Sequence, residues 1–269
     1  MEPTHRASQA SPDAPPVDVT VHDHVATLEL RRPPHNFFDP ALLSGIADAF
    51  EAMDADPTCR AIVLCAQGTS FCAGANFADR ETSPVPRSPR ALNPLYLEAI
   101  RLFACAKPVV AAIHGPAIGG GLGLALAADF RVTCPEARFS ANFNRLGFHP
   151  GFGLTHTLPR LVGPQQAAKL FYTGRRIGGE EALRIGLADE LVPRHDVRAR
   201  ATALAREIAT SAPIAVQSTR ETLRAGLVDA IRIAVARESV EQNRHWTTED
   251  FREGVAAMAE RRPPSFTGR

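Results

Sequence analysis

Phe71-Cys72-Ala73-Gly74-Ala75-Asn76 and, further along, Gly119-Gly120-Gly121 are the two stretches on which the fold turns. Each follows a short apolar run, Ala61-Ile62-Val63-Leu64-Cys65 before the first and Val109-Val110-Ala111-Ala112-Ile113 before the second. Unbroken apolar runs of that length mark strands covered on both faces. Glycine permits positive φ and lets a ligand approach the main chain. The second turn leads into a small-residue helix, expected over about 122–128, so free N–H groups and the positive end of a helix dipole gather there. Two such turns aimed at one carbonyl oxygen make an oxyanion hole. The same glycines would also serve tight strand–helix packing. A dinucleotide fingerprint starting at Gly121-Leu122-Gly123 fails, because Leu126 stands at its third glycine place and no acid follows at the required distance.

Outward from these turns, strands and helices alternate. Val17–Val21 and Val25–Leu30 read as a hairpin. Asp39-Pro40 opens a helix as N-cap and N1, with Leu42, Leu43, Ile46, Phe50 and Met53 at helical spacing. Residues 79–92 are a proline-rich loop, and Asn93-Pro94 repeats the helix-start signal. Short strands are expected at 130–133 and 137–140, and helices from Gly153 to the end. This predicts an α/β layer architecture with a helical C-terminal portion. The expected divisions are a polar leader over 1–16, a core over 17–200 and a helical region over 201–269. Ile231, Ile233, Val235, Val240, Phe251, Val255 and Met258 make that last region apolar, and some of this surface is expected to be buried against another subunit.

The chain has 269 residues, 45% of them apolar and 22% charged, as in ordinary globular proteins. A net charge of +1 argues against nucleic acid as a partner. No apolar run is long enough to span a membrane, and the leader has no signal-peptide core. The five cysteines lack metal-ligand spacing, so reduced thiols, no metal and a cytoplasmic location are expected.

The motifs resemble those of the enoyl-CoA hydratase/isomerase (crotonase) superfamily. The first signature is similar to Phe71–Asn76 and the second to Lys107–Gly121; the likeness continues through Asp129–Val132, Leu146-Gly147 with Pro150-Gly151, Tyr172–Arg175, Gly186–Ala188 and Phe251–Gly254, over roughly residues 18–267. The resemblance implies a spiral of ββα units with a C-terminal helical trimerisation region, in a homotrimer or dimer of trimers. It implies an acyl-CoA thioester substrate, coenzyme A entering as part of that substrate and no covalently bound cofactor. Carried over by motif, the oxyanion donors are the N–H groups of Ala75 and Gly120. Asn76 and Phe77 follow the first donor along the CoA site, His35 lies on the segment that passes the CoA, and Arg261 or Arg262 meets its phosphates unless the pair is only a solvated run.

The departures from the family are as informative. Its hydratases use two glutamates, and the matching positions here are Gly123 and Phe143. Hydration needs a carboxylate to deprotonate water and an acid to protonate carbon, and neither residue does either. The resemblance thus implies a lyase or isomerase whose reaction departs from plain hydration: isomerisation, decarboxylation or C–C hydrolysis, with a non-catalytic acyl-CoA-binding protein as the alternative. Gly123 is expected to leave space for a bulky acyl group or a small anion. Strand alternation over 139–144 puts Ser140, Asn142 and Asn144 opposite Phe143, and a slip of one residue would bring an asparagine to the site. His149, held extended by Pro150, is the candidate replacement acid/base. Cys72 has no adjoining base and is read as a packing residue.

Overall fold

The structure, a computed structural model, describes residues 15–77 and 94–269. Most of the leader, the proline-rich stretch and the Asn93 cap therefore lie outside the described residues. The hairpin forms as expected: β1 (Val17–His22) pairs antiparallel with β2 (Val25–Leu30). Its two-residue turn, Asp23-His24, has φ of 50° and 64°, the left-handed pair whose twist suits a tight hairpin. Next come α1 (Pro40–Ala55), β3 (Ala61–Ala66), α2 (Pro94–Ala104) and β4 (Val109–Ile113). Asp39 caps α1 by accepting from the Leu42 N–H at 2.8 Å, and Leu42, Leu43, Ile46 and Phe50 are buried along one face. Each large side chain so buried stabilises by about 1.5–3 kcal/mol.

The chain continues through β5 (Ala117–Ile118), α3 (Gly120–Ala127), β6 (Phe130–Thr133), β7 (Arg138–Ser140) and a 3₁₀ turn over Asn142–Leu146. Then follow α4 (Leu154–Val162), α5 (Pro164–Thr173), β8 (Ile177–Gly178), α6 (Gly179–Arg184) and β9 (Glu190–Leu191). Four helices end it: α7 (Val197–Ala209), α8 (Pro213–Leu223), α9 (Leu227–His245) and α10 (Glu249–Ala259). The main sheet runs β1-β2-β3-β4-β6-β9 and is parallel from β2 onward; β5, β7 and β8 form a second, small sheet. Every residue of β3 and β4 is buried, as their unbroken apolar runs predict. No helix among the described residues is long and apolar enough to cross a membrane.

Two expectations need correction. Position 200, the expected end of the core, falls inside α7, which packs on β3, β4 and β6. The strand alternation drawn to Asn144 stops at Ser140, because Asn142–Leu146 winds into the 3₁₀ turn and brings neighbouring side chains to one side.

The C-terminal helices are tied to the sheet through Asp129. Its carboxylate accepts from the Val109 N–H, Arg220 Nε and Arg224 Nη1, each at 2.8 Å. The Arg220 guanidinium also donates to the Cys105 carbonyl.

Candidate active site

The two glycine turns meet. The Cys72 N–H donates to the Pro116 carbonyl at 3.0 Å and the Ile118 N–H to the Cys72 carbonyl at 3.1 Å, a parallel bridge joining the first turn to the start of the second. On its other side the first turn is bound to the 35–38 segment: the Ala73 N–H donates to the His35 carbonyl and the Phe38 N–H to the Gly74 carbonyl, both at 3.0 Å. That segment is anchored by Asn36, fully buried with φ 49°, whose amide donates to the Gln67 and Ser70 carbonyls at 2.7 and 2.8 Å. Glycine is required where the turns touch. A Cβ on Gly121 would lie 2.0 Å from the Cys72 carbonyl oxygen. One on Gly74, whose φ is +84°, would lie 2.7 Å from the Ile118 oxygen and 3.6 Å from the Gly120 nitrogen.

Ala75 and Gly120 line one cavity of about 690 Å³. Neither N–H donates to an acceptor among the described residues. Two unpaired main-chain donors from separate turns, one at the start of α3, can receive one oxygen carrying developing negative charge.

The rest of the wall is aromatic. Phe38, Phe77, Phe143, Phe148 and Phe152 all line the cavity. The Phe148 ring makes edge contacts with Phe143 (5.3 Å), Phe77 (5.5 Å) and Phe251 (5.7 Å). Asn142 lines the cavity beside Phe143, so both residues that the register question set against each other reach the site. A Cβ on Gly119 would lie 3.7 Å from Asn142 Oδ1 and 3.8 Å from Phe143 Cζ. Among the described residues, no aspartate or glutamate lines the cavity.

Two of the expected site residues stand elsewhere. Gly123 does not line the cavity and leaves no room: a Cβ there would lie 2.5 to 2.8 Å from three atoms of Phe152. Phe152 is 1% exposed, has φ +65°, and contacts Phe38 at 5.8 Å. A bulky residue held left-handed is an uncommon conformation, and here it seats the ring over α3. His149 is also not among the lining residues. Its Nδ1 pairs with the Pro150 carbonyl at 2.8 Å and its ring lies 6.4 Å from that of His245 on α9. Phe148 on one side and Gly151 and Phe152 on the other take the cavity face, so the imidazole is turned away from the acid/base place expected of it.

Asn76, Phe77, Phe143 and His35 line the cavity as expected, His35 being exposed with its ring 5.4 Å from that of Phe37. The two terminal arginines have different surroundings. Arg262 is held by Glu253 and Glu260, whereas Arg261 lines the cavity. Arg138 and Arg176 join it there, and none of these three forms an ion pair with a described residue. Cys72 is fully buried and burial pushes its thiol up to about 12, so it is no nucleophile.

A polar group that the sequence did not disclose closes the far side. Gln242 Nε2 donates to the His149 carbonyl at 2.8 Å, which turns Oε1 toward Tyr96 and makes the phenol the donor. Behind them lies Glu238, fully buried, accepting from the Gly153 N–H (2.8 Å), the Thr155 N–H (2.9 Å) and the Thr155 hydroxyl (2.6 Å). Burial raises the Glu238 carboxyl above its ordinary value, and burial with the Glu238 charge raises the Tyr96 phenol. Tyr96 and Gln242 line the cavity, but they lie in α2 and α9, far apart in sequence, and only folding brings them together.

A family model described as enoyl-CoA hydratase/isomerase matches residues 20–269. The (E)-benzylidenesuccinyl-CoA hydratase of Thauera aromatica is 34% identical over an alignment of 260 residues that covers 94% of this chain and 99% of that protein. The 1,2-epoxyphenylacetyl-CoA isomerase of Escherichia coli is 31% identical over 257 residues, covering 93% of this chain and 97% of its own. A crystal structure of an enoyl-CoA hydratase/isomerase from Pseudoalteromonas atlantica has a TM-score of 0.85 at 30% identity, with 94% of this chain and 100% of that one covered.

Proposed function

Because the chain belongs to the enoyl-CoA hydratase/isomerase family, we propose that it binds an acyl-CoA thioester with the carbonyl oxygen between the N–H groups of Ala75 and Gly120, and that its reaction runs through the thioester enolate rather than through carboxylate-activated water. The observation that supports this reading is that Ala75 and Gly120, whose N–H groups donate to no described residue, line the same cavity. As negative charge gathers on oxygen, both hydrogen bonds strengthen. In well-studied oxyanion holes one such donor is worth about 3 kcal/mol in the transition state.

Water addition asks for more than this wall offers. A positioned general base or acid contributes about 10²- to 10⁴-fold in enzymes that use one, and Gly123 and Phe143 supply neither. The neutral carboxamide of Asn142 orients a reacting group but takes no proton from it at neutral pH. Decarboxylation, double-bond shift and C–C cleavage share the enolate; decarboxylation forms it by loss of CO₂ with no base, whereas the other two also need a proton acceptor or an activated water besides the two amides. Arg138, Arg176 and Arg261 suit the CoA phosphates, since guanidinium groups bind phosphate bidentately. Ile214, Leu223, Ile233 and Val240, exposed on α8 and α9, support a homotrimer or a dimer of trimers.

Acetoacetyl-CoA tests the amides directly, because its enolate is visible in the ultraviolet. The bound ligand is expected to ionise at lower pH than the free one, while crotonyl-CoA is left unhydrated. A bound acetoacetyl-CoA whose ionisation is unshifted overturns the oxyanion role, and rapid hydration of crotonyl-CoA overturns the preference for enolate chemistry.

A further inference from the structure

We propose that the acyl group taken by this cavity is an aromatic ring; the inference rests on the acyl-CoA reading above and names the substrate class of the same site. At the oxyanion turn, rings crowd on the glycines. A Cβ on Gly120 would lie 2.2 Å from Phe38 Cζ, and one on Gly119 would lie 3.8 Å from Phe143 Cζ. Two aromatic banks therefore come down to the place where the thioester carbonyl is held. Phe38 and Phe152 form one, with centroids 5.8 Å apart. Phe143, Phe148 and Phe77 form the other, joined edge-to-face at 66° to 76°.

Both banks line the cavity, and Tyr96 and Trp246 carry the aromatic lining further. A flat ring entering beside the carbonyl meets ring edges and faces. A flexible alkyl chain gains buried area alone and loses more rotamer freedom on binding. Aromatic pairs add to the area term through the quadrupole of the rings. The positions that carry the family's glutamates contribute to this wall: Phe143 stands at one, and Phe152 fills the space over Gly123 at the other. On this inference the loss of the carboxylates and the choice of acyl group are one structural fact.

Three nine-carbon thioesters separate the alternatives by calorimetry on the full chain: 3-phenylpropanoyl-CoA, 3-cyclohexylpropanoyl-CoA and nonanoyl-CoA. The aryl ester is expected to bind about 2- to 10-fold more tightly than the cyclohexyl ester, as one or two ring contacts are worth, and more tightly than the linear ester. Phe148→Leu, which keeps apolar bulk, is expected to remove the preference over the cyclohexyl ester while leaving free CoA binding unchanged. A linear or cyclohexyl ester that binds as well as the aryl one in the unaltered protein overturns the inference and leaves the acyl-CoA reading standing. If all three bind no better than free CoA, the acyl-CoA reading falls and this inference falls with it.

Discussion

A methyl group placed on Gly123 tests the aromatic plug over α3. An alanine Cβ there would stand 2.5 Å from Phe152 Cδ1 and 2.7 Å from Cγ, against an optimum of about 3.5–4.0 Å between carbons. The ring would have to retreat by about 1 Å. It has nowhere to go, because Phe152 is 1% exposed and backed by Phe38. Overpacking of this kind costs about 1–3 kcal/mol. Replacing glycine inside a helix returns up to about 1 kcal/mol, so Gly123→Ala alone nets a small loss. The coupling is the sharper quantity. In a Phe152→Gly background all three contacted atoms are gone, the left-handed backbone at 152 suits glycine, and the same change should be neutral or stabilising. The interaction energy between the two substitutions is therefore expected at about 1–3 kcal/mol. Urea midpoints of the four proteins, at one fixed concentration, measure it. Additivity to within about 0.5 kcal/mol would refute the packing argument. The same clash predicts that Gly123→Glu alone creates no hydratase, since the new side chain would be wedged against the Phe152 ring.

Arg261→Ala should weaken CoA binding about 10-fold or more, the worth of a charge-assisted hydrogen bond, and Arg262→Ala should leave it within about twofold. Equal effects in calorimetry at two salt concentrations would remove the distinction drawn between them. Glu253 gives a pH expectation: Arg262, helped by the Ser265 N–H, holds its carboxyl down to about 2 from an ordinary 4.5. A depressed acid contributes above its unfolded value and loses that contribution as pH falls through its folded value. Hydrogen exchange at the Ser265 amide, which donates to Glu253 at 2.7 Å, should therefore quicken, beyond the intrinsic pH dependence, as pH falls from 4.5 toward 2. The measurement belongs where the near-ultraviolet dichroism is still native, and unchanged protection there would sink the expectation.

The hairpin, the buried strands and both glycine turns were legible because each depends on its own residues. Apolar runs make β3 and β4, Asp39-Pro40 makes the start of α1, and the glycines at 74 and 121 are demanded by close main-chain approach. Phe143 was legible as an apolar residue where the resemblance implies a carboxylate, and it lines the cavity. His149 was misread because its neighbours, rather than its chemistry, decide which way the loop faces: three residues around it claim the cavity side. Gly123 was misread as open space because a missing side chain says nothing about what fills the gap, and the filler, Phe152, comes from a loop nearly thirty residues away. Tyr96 and Gln242 carry no local signal at all, since their partnership exists only once α2 and α9 lie together.

The carboxylate of Asp129 bears on whether the two ends of the chain can be separated. A version stopping before Arg220 would strip both hydrogen-bonded guanidinium groups from a half-hidden anion and leave it the Val109 amide as its hydrogen-bond donor, with only the charge of Arg131 nearby. Stranding one half of such a buried pair costs about 3–5 kcal/mol, a large share of the 5–15 kcal/mol that holds a typical domain together. Truncation there should yield insoluble material rather than a smaller working enzyme, and the helices after residue 210 cannot be traded as a cassette unless the newcomer brings two arginines to the same spot.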